Sequence, residues 1–118
     1  MTKSATPAER GTSLTQSQLA ALRGMLEQQR RFRLDQLDQL QRADKLSSSS
    51  GAEREISDSL AVGARTALRD VLDALQRMDD GRYGLCRRCT TPLAIERLEV
   101  LPQVSLCMPC QRSEQQSA

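Results

Sequence analysis

Four cysteines in the final third of the chain, Cys86, Cys89, Cys107 and Cys110, are spaced C-x2-C-x17-C-x2-C. Each close pair can place two sulfurs on one ion from a tight knuckle turn, and two knuckles complete a tetrahedron of thiolates, the closed form of a structural zinc site. The alternatives fit less well. A thioredoxin-like redox pair needs a βαβ surround, and no buried-strand pattern is present. Two disulfides suit an oxidising compartment, whereas no segment here is apolar enough to span a membrane and the N-terminus has no apolar signal region, so the chain reads as cytoplasmic. An iron–sulfur cluster also takes four thiolates but fits this knuckle spacing less well. The spacing therefore predicts one structural Zn2+ with no open position for water or substrate.

The metal also answers a question of size. The chain has 118 residues, and its aromatics are Phe32 and Tyr83 alone. A finger of about 30 residues cannot fold on burial alone, so zinc must supply much of its stability.

Upstream, residues 1–13 are polar, contain Pro7 and Gly11, and read as a disordered tail. Leu19, Leu22, Leu26, Leu34, Leu37 and Leu40 then recur on one helical face. Thr15 followed by Gln18 forms a candidate capping box at the start of that helix. A second run carries Ile56, Leu60, Gly63, Ala67, Val71, Ala74 and Met78, flanked by Leu68, Leu72 and Leu75. Two long polar helices with narrow stripes cannot make a wide core; they can make the seam of an antiparallel two-helix coiled coil. Small residues at Gly63, Ala67 and Ala74 would let the backbones approach. Between the runs, "RADKLSSSSGAERE" at 42–55 reads as the turn, with Ser50 or a neighbouring serine capping the second helix and Glu53 in its positive first turn.

The expected fold class is mainly α: a coiled-coil hairpin over 14–80 with its tip loop near 44–52, a four-cysteine zinc finger over 81–112 whose connector forms a small hairpin, and a flexible tail over 113–118. An enzyme is not expected: the chain has no histidine, no phosphate-cradling glycine loop and no nucleophile–base pair. Net charge is +2, with 17 basic against 15 acidic residues, and no aromatic stacking platform is present, so direct DNA binding is not expected. A zinc-finger nucleic-acid binder and a structural coiled-coil adaptor remain the competing classes.

With the coil and cysteines placed, the chain resembles the DksA/TraR family of bacterial transcription regulators. The residues that carry this are "DDGRYGLCRRC" at 79–89, "IERLEVLP" at 95–102 and "LCMPC" at 106–110. The resemblance implies a monomer that binds RNA polymerase, its coil entering the secondary channel and its finger and coil base holding the channel rim, with altered initiation as the consequence. The tip contacts it implies are Asp44, Ser47, Ser48 and Glu53, and the finger contacts Arg87, Arg88 and Arg97. The chain also departs from the family. The family tip has an Asp-x-x-Asp-x-Ala acidic pair where this chain offers Asp44 alone; Asp35 and Asp38 sit farther down the first helix. The positions that bind the alarmone ppGpp at the coil–finger junction fall near Asp70, Leu101 and Gln111, none of them basic, so a ppGpp site there is not expected. Thr90 stands where a glycine often follows the first cysteine pair, at a steric cost if that position takes a positive φ.

Overall fold

The computed structural model describes residues 14–46 and 51–117. The tail read at 1–13, and Ser47, Ser48 and Ser50 of the tip, lie outside the described residues. Two long helices, α1 (Gln16–Leu46) and α2 (Gly51–Asp79), pack side by side, and two short ones follow, α3 (Ile95–Val100) and α4 (Met108–Ser117). The hairpin is antiparallel: Arg23 near the start of α1 pairs with Asp79 at the end of α2 at 3.0 Å.

The start of α1 is fixed by a reciprocal cap. The Thr15 N–H donates to Gln18 Oε1 at 2.9 Å, and the Gln18 N–H donates to Thr15 Oγ1 at 3.0 Å. α2 ends on Gly81, whose φ of 74° lies in the left-handed region open to glycine. There the Arg82 N–H donates to the Arg77 carbonyl at 2.8 Å and the Gly81 N–H to that of Met78 at 3.2 Å.

The seam differs from the apolar stripe in its distal half. Ile56, Leu60 and Gly63 are exposed, as are Leu34 and Phe32 on α1. The face that α2 turns to α1 instead runs Ser57, Ala61, Ala64, Leu68, Val71, Leu75 and Met78, all buried or half-buried. Those steps alternate four and three and average 3.5 residues, the repeat that keeps two left-handed supercoiled helices in register. The stripe from Ile56 to Met78 advances 22 positions in six steps, about 3.7 per step, so it drifts off the contact line toward the tip. Gly63 is not a close-approach residue: a Cβ built there meets nothing within 4 Å. Close approach near the tip falls to Ser57, Ala61 and Ala64.

The core sits at the base of the arm, where coil and finger share it. Leu22 and Leu26 of α1 and Val71 and Ala74 of α2 form one cluster with Tyr83, Cys86, Leu93, Leu98 and Leu106 of the finger. The buried Tyr83 hydroxyl donates to the Pro102 carbonyl at 2.8 Å, closing the connector onto the end of α2. The cysteine connector is not a strand hairpin: among the described residues its regular element is α3, beside a single bridge between Leu85 and Pro92. Nor does the fold stop at residue 112. The segment read as a flexible tail continues in α4 to Ser117, held by an ion pair from Arg87 to Glu114 at 3.1 Å. Among the described residues, no helix is long and apolar enough to cross a membrane.

Candidate metal centre

Local backbone bonds build each knuckle. At the first, the Cys86 N–H donates to the Thr91 carbonyl at 2.8 Å, the Thr90 N–H to that of Cys86 at 2.9 Å, and the Leu93 N–H to that of Gly84 at 2.8 Å. Gly84 has a φ of 90°, which only glycine adopts readily, and it turns the chain into the knuckle. Thr90 follows with a φ of 63°, the one non-glycine residue beyond zero among those described. The second knuckle is the entry to α4, with Cys107 just before the helix and Cys110 in its first turn. A bond from the Arg87 N–H to the Ser105 carbonyl, 2.8 Å, laces the two knuckles together.

These turns gather all four sulfurs within 4.8 Å of one another, with Cys89 Sγ and Cys107 Sγ 3.7 Å apart. Four thiolates at about 2.3 Å from a common zinc must stand about 3.8 Å apart, so the donor set fits one tetrahedral ion. Zinc bound there supplies fixed cross-linking of the two knuckles rather than an open coordination site.

The sulfurs differ electrostatically. Burial pushes the Cys86 thiol up, but N–H groups from Cys89, Cys107 and Arg88 outweigh it and bring it down to about 6. Thr91, whose Oγ1 lies 3.0 Å from Cys89 Sγ, lowers the Cys89 thiol. The Cys110 thiol is pushed up to about 12, first by its contact with Cys107. Sulfurs this close cannot all ionise without a cation among them, and a divalent ion removes that conflict.

The predicted surface residues divide. Arg97 is half-buried and staples α3 to α4: its guanidinium donates to Gln111 Oε1 at 2.9 Å, to the Leu106 carbonyl at 3.5 Å and to Met108 Sδ. Arg87 donates to Ser105 Oγ at 3.1 Å besides its pairing with Glu114. Arg88 is exposed beside the knuckle. Asp44 is exposed at the distal end of α1, and Glu53 lies in the first turn of α2.

One feature was missed in the sequence. Asp58 on α2 lines the same shallow groove of about 350 Å³ as Asp44 and Arg65, a juxtaposition across the hairpin that no linear motif displays. Asp70, Leu101 and Gln111 meet in one cleft of about 520 Å³ between α2 and the finger, together with Arg87, Gln103 and Glu114.

The family model of the prokaryotic dksA/traR C4-type zinc finger matches residues 81–116. Among curated proteins, an uncharacterized protein of Aquifex aeolicus (strain VF5) is 32% identical over 56 residues, covering 48% of this chain and 39% of that protein. The RNA polymerase-binding transcription factor DksA of Buchnera aphidicola subsp. Schizaphis graminum (strain Sg) is 30% identical over 47 residues, covering 40% of this chain and 31% of that protein. The chain thus spans less than two-fifths of the length of either relative. The span that folds around the four sulfurs is thus similar to the dksA/traR C4-type zinc fingers.

Proposed function

We propose that this chain is a transcription regulator that binds RNA polymerase in the cytoplasm as a monomer and modulates initiation, with no catalysis of its own. In this reading the hairpin enters the secondary channel and the finger with the arm's base holds the channel rim. The observation that carries it is the shared core. Leu22, Leu26, Val71 and Ala74 of the arm pack with Leu93, Leu98 and Leu106 of the finger, so the two move as one piece and the finger can aim the arm. An α2 of 29 residues extends about 43 Å at 1.5 Å per residue, a reach suited to a narrow channel. The relative from Buchnera aphidicola is named for polymerase binding, and its similarity supports the same partner here.

Asp44, with Ser47, Ser48 and Glu53, is assigned the deepest position in this reading, and Asp58, which lines the same groove as Asp44, is the carboxylate paired with it. Arg88 is the preferred finger contact, because Arg87 and Arg97 already hold the finger together. The junction cleft is not proposed as a ppGpp site. It presents the carboxylates of Asp70 and Glu114, and its one arginine, Arg87, is paired with Glu114, a lining that repels a polyphosphate.

The test is binding of the zinc-loaded, full-length protein to core polymerase, with competition by another secondary-channel factor. The reading expects co-elution and mutual displacement. It expects Asp44→Asn with Asp58→Asn to reduce the effect on initiation more than binding itself. Absence of binding, with transcription unchanged, overturns it. The adaptor reading draws on the exposed Ile56, Leu60 and Val62 of α2. It would be favoured by a stable homodimer that Leu60→Glu dissolves.

A further inference from the structure

The two knuckles are built to unequal standards. The second is clamped on several sides. Cys107 precedes α4 and Cys110 lies in its first turn, the Gln111 N–H donates to the Cys107 carbonyl at 2.9 Å, Arg97 holds the helix through Gln111, and Arg87 of the first knuckle reaches across to Glu114. In the first knuckle Cys86 is fully buried in the shared core, whereas Cys89 is exposed.

The residue after Cys89 is also strained. Thr90 sits at a φ of 63°, where a β-branched side chain crowds its own backbone. The bonds that oppose relaxation lie within the knuckle itself: the Thr90 N–H donates to the Cys86 carbonyl and the Cys86 N–H to the Thr91 carbonyl, the Thr90 hydroxyl donates to the Cys89 carbonyl, and the Cys89 thiol donates to Thr91 Oγ1. Rotation of Thr90 toward the right-handed region would swing Cys89 away from the other sulfurs while leaving Cys86 in place.

We propose that the first knuckle is the exit and exchange point for the metal, that Cys89 is the first ligand to detach, and that strain at Thr90 sets how readily it does so. The step is ligand exchange without oxidation. The Zn–S bond to Cys89 breaks, the thiolate keeps its electron pair and takes a proton from water, and the vacated position passes to an incoming chelator. The three remaining sulfurs then hold the metal less firmly and release it in turn. Such a site surrenders zinc faster than the same four cysteines on a relaxed knuckle.

The experiment uses the zinc-loaded, full-length protein and two readouts. Limited treatment with iodoacetamide, from which a freed thiolate displaces iodide, followed by peptide mass spectrometry gives the order in which the cysteines become available. Zinc transfer to a metallochromic chelator gives the release rate. The expected order places Cys89 first. Thr90→Gly should slow release by about 5- to 30-fold, the ratio equivalent to the roughly 1–2 kcal/mol that a left-handed conformation costs an L-residue. Thr90→Asn, which tolerates that conformation without glycine's added freedom, should slow it several-fold. Thr90→Val keeps the β-branch and should release at least as fast as the parent. Labelling of Cys107 or Cys110 before Cys89, simultaneous labelling of all four, or release rates unchanged in both Thr90→Gly and Thr90→Asn would each overturn the proposal.

Discussion

Replacing Gly63 with alanine separates two accounts of the arm. If the apolar stripe Ile56, Leu60, Gly63 and Ala67 were the seam, an added methyl at 63 would meet the partner helix and force the backbones apart, at a cost of about 1–3 kcal/mol. In the structure a Cβ at 63 meets nothing within 4 Å, so the substitution acts on the helix backbone alone. Alanine is favoured over glycine in a helix interior by about 0.8–1 kcal/mol, so G63A should stabilise the protein by about 1 kcal/mol. For a domain of this size that is a rise of about 4 °C in Tm. Two controls locate the seam independently. Leu60, 50% exposed, should cost under about 1 kcal/mol when cut to alanine, whereas Leu26, 0% exposed, should cost about 3 kcal/mol. Urea unfolding of the zinc-loaded variants, followed by far-ultraviolet circular dichroism, measures all three. A loss of stability in G63A, or a Leu60→Ala cost equal to that of Leu26→Ala, would refute the seam through Ser57, Ala61 and Ala64.

Two further outcomes follow from the base of the arm. Metal removal by a strong chelator should free the finger residues Leu93, Leu98 and Leu106 from the shared core, exposing the Arg87–Arg88 stretch to trypsin while the distal coil keeps its helicity; persistence of a protease-resistant finger would contradict this. Burial pushes the Tyr83 hydroxyl up to about 12. Because its folded pKa lies above the ordinary value of about 10, its contribution is complete below that pH and is lost as pH climbs toward about 12. Tyr83→Phe should cost about 1 kcal/mol near neutrality by orphaning the Pro102 carbonyl, and should flatten the alkaline loss seen in urea unfolding at stepped pH.

Much of the fold is legible in the chain because its signals are local. The spacing of Cys86, Cys89, Cys107 and Cys110 fixes the knuckles. Thr15 and Gln18 announce a cap that forms in both directions, and Thr90 occupies a positive-φ position that its neighbours impose. What is illegible depends on the partner helix or on tertiary anchors. Ile56 and Leu60 share the seam's apparent periodicity, yet α1 selects the set one residue later, because contact between two coiled helices follows a 3.5-residue repeat. α4 carries no apolar periodicity past Cys110, and its polar run "QRSEQQS" is held by Arg87 and Arg97 reaching from elsewhere in the finger. Asp58 gives no linear sign of sharing a groove with Asp44, since only closure of the hairpin brings them together.

The central claim, that the arm is inserted into polymerase by its zinc-bearing base, is tested most directly by a photo-crosslinking side chain at position 44. In complex with core polymerase, the zinc-loaded full-length protein should crosslink to segments lining the secondary channel near the catalytic centre, and the crosslinks should vanish when the finger is stripped of metal. Crosslinks confined to the outer surface of the enzyme, or unchanged by loss of the metal, would contradict the account.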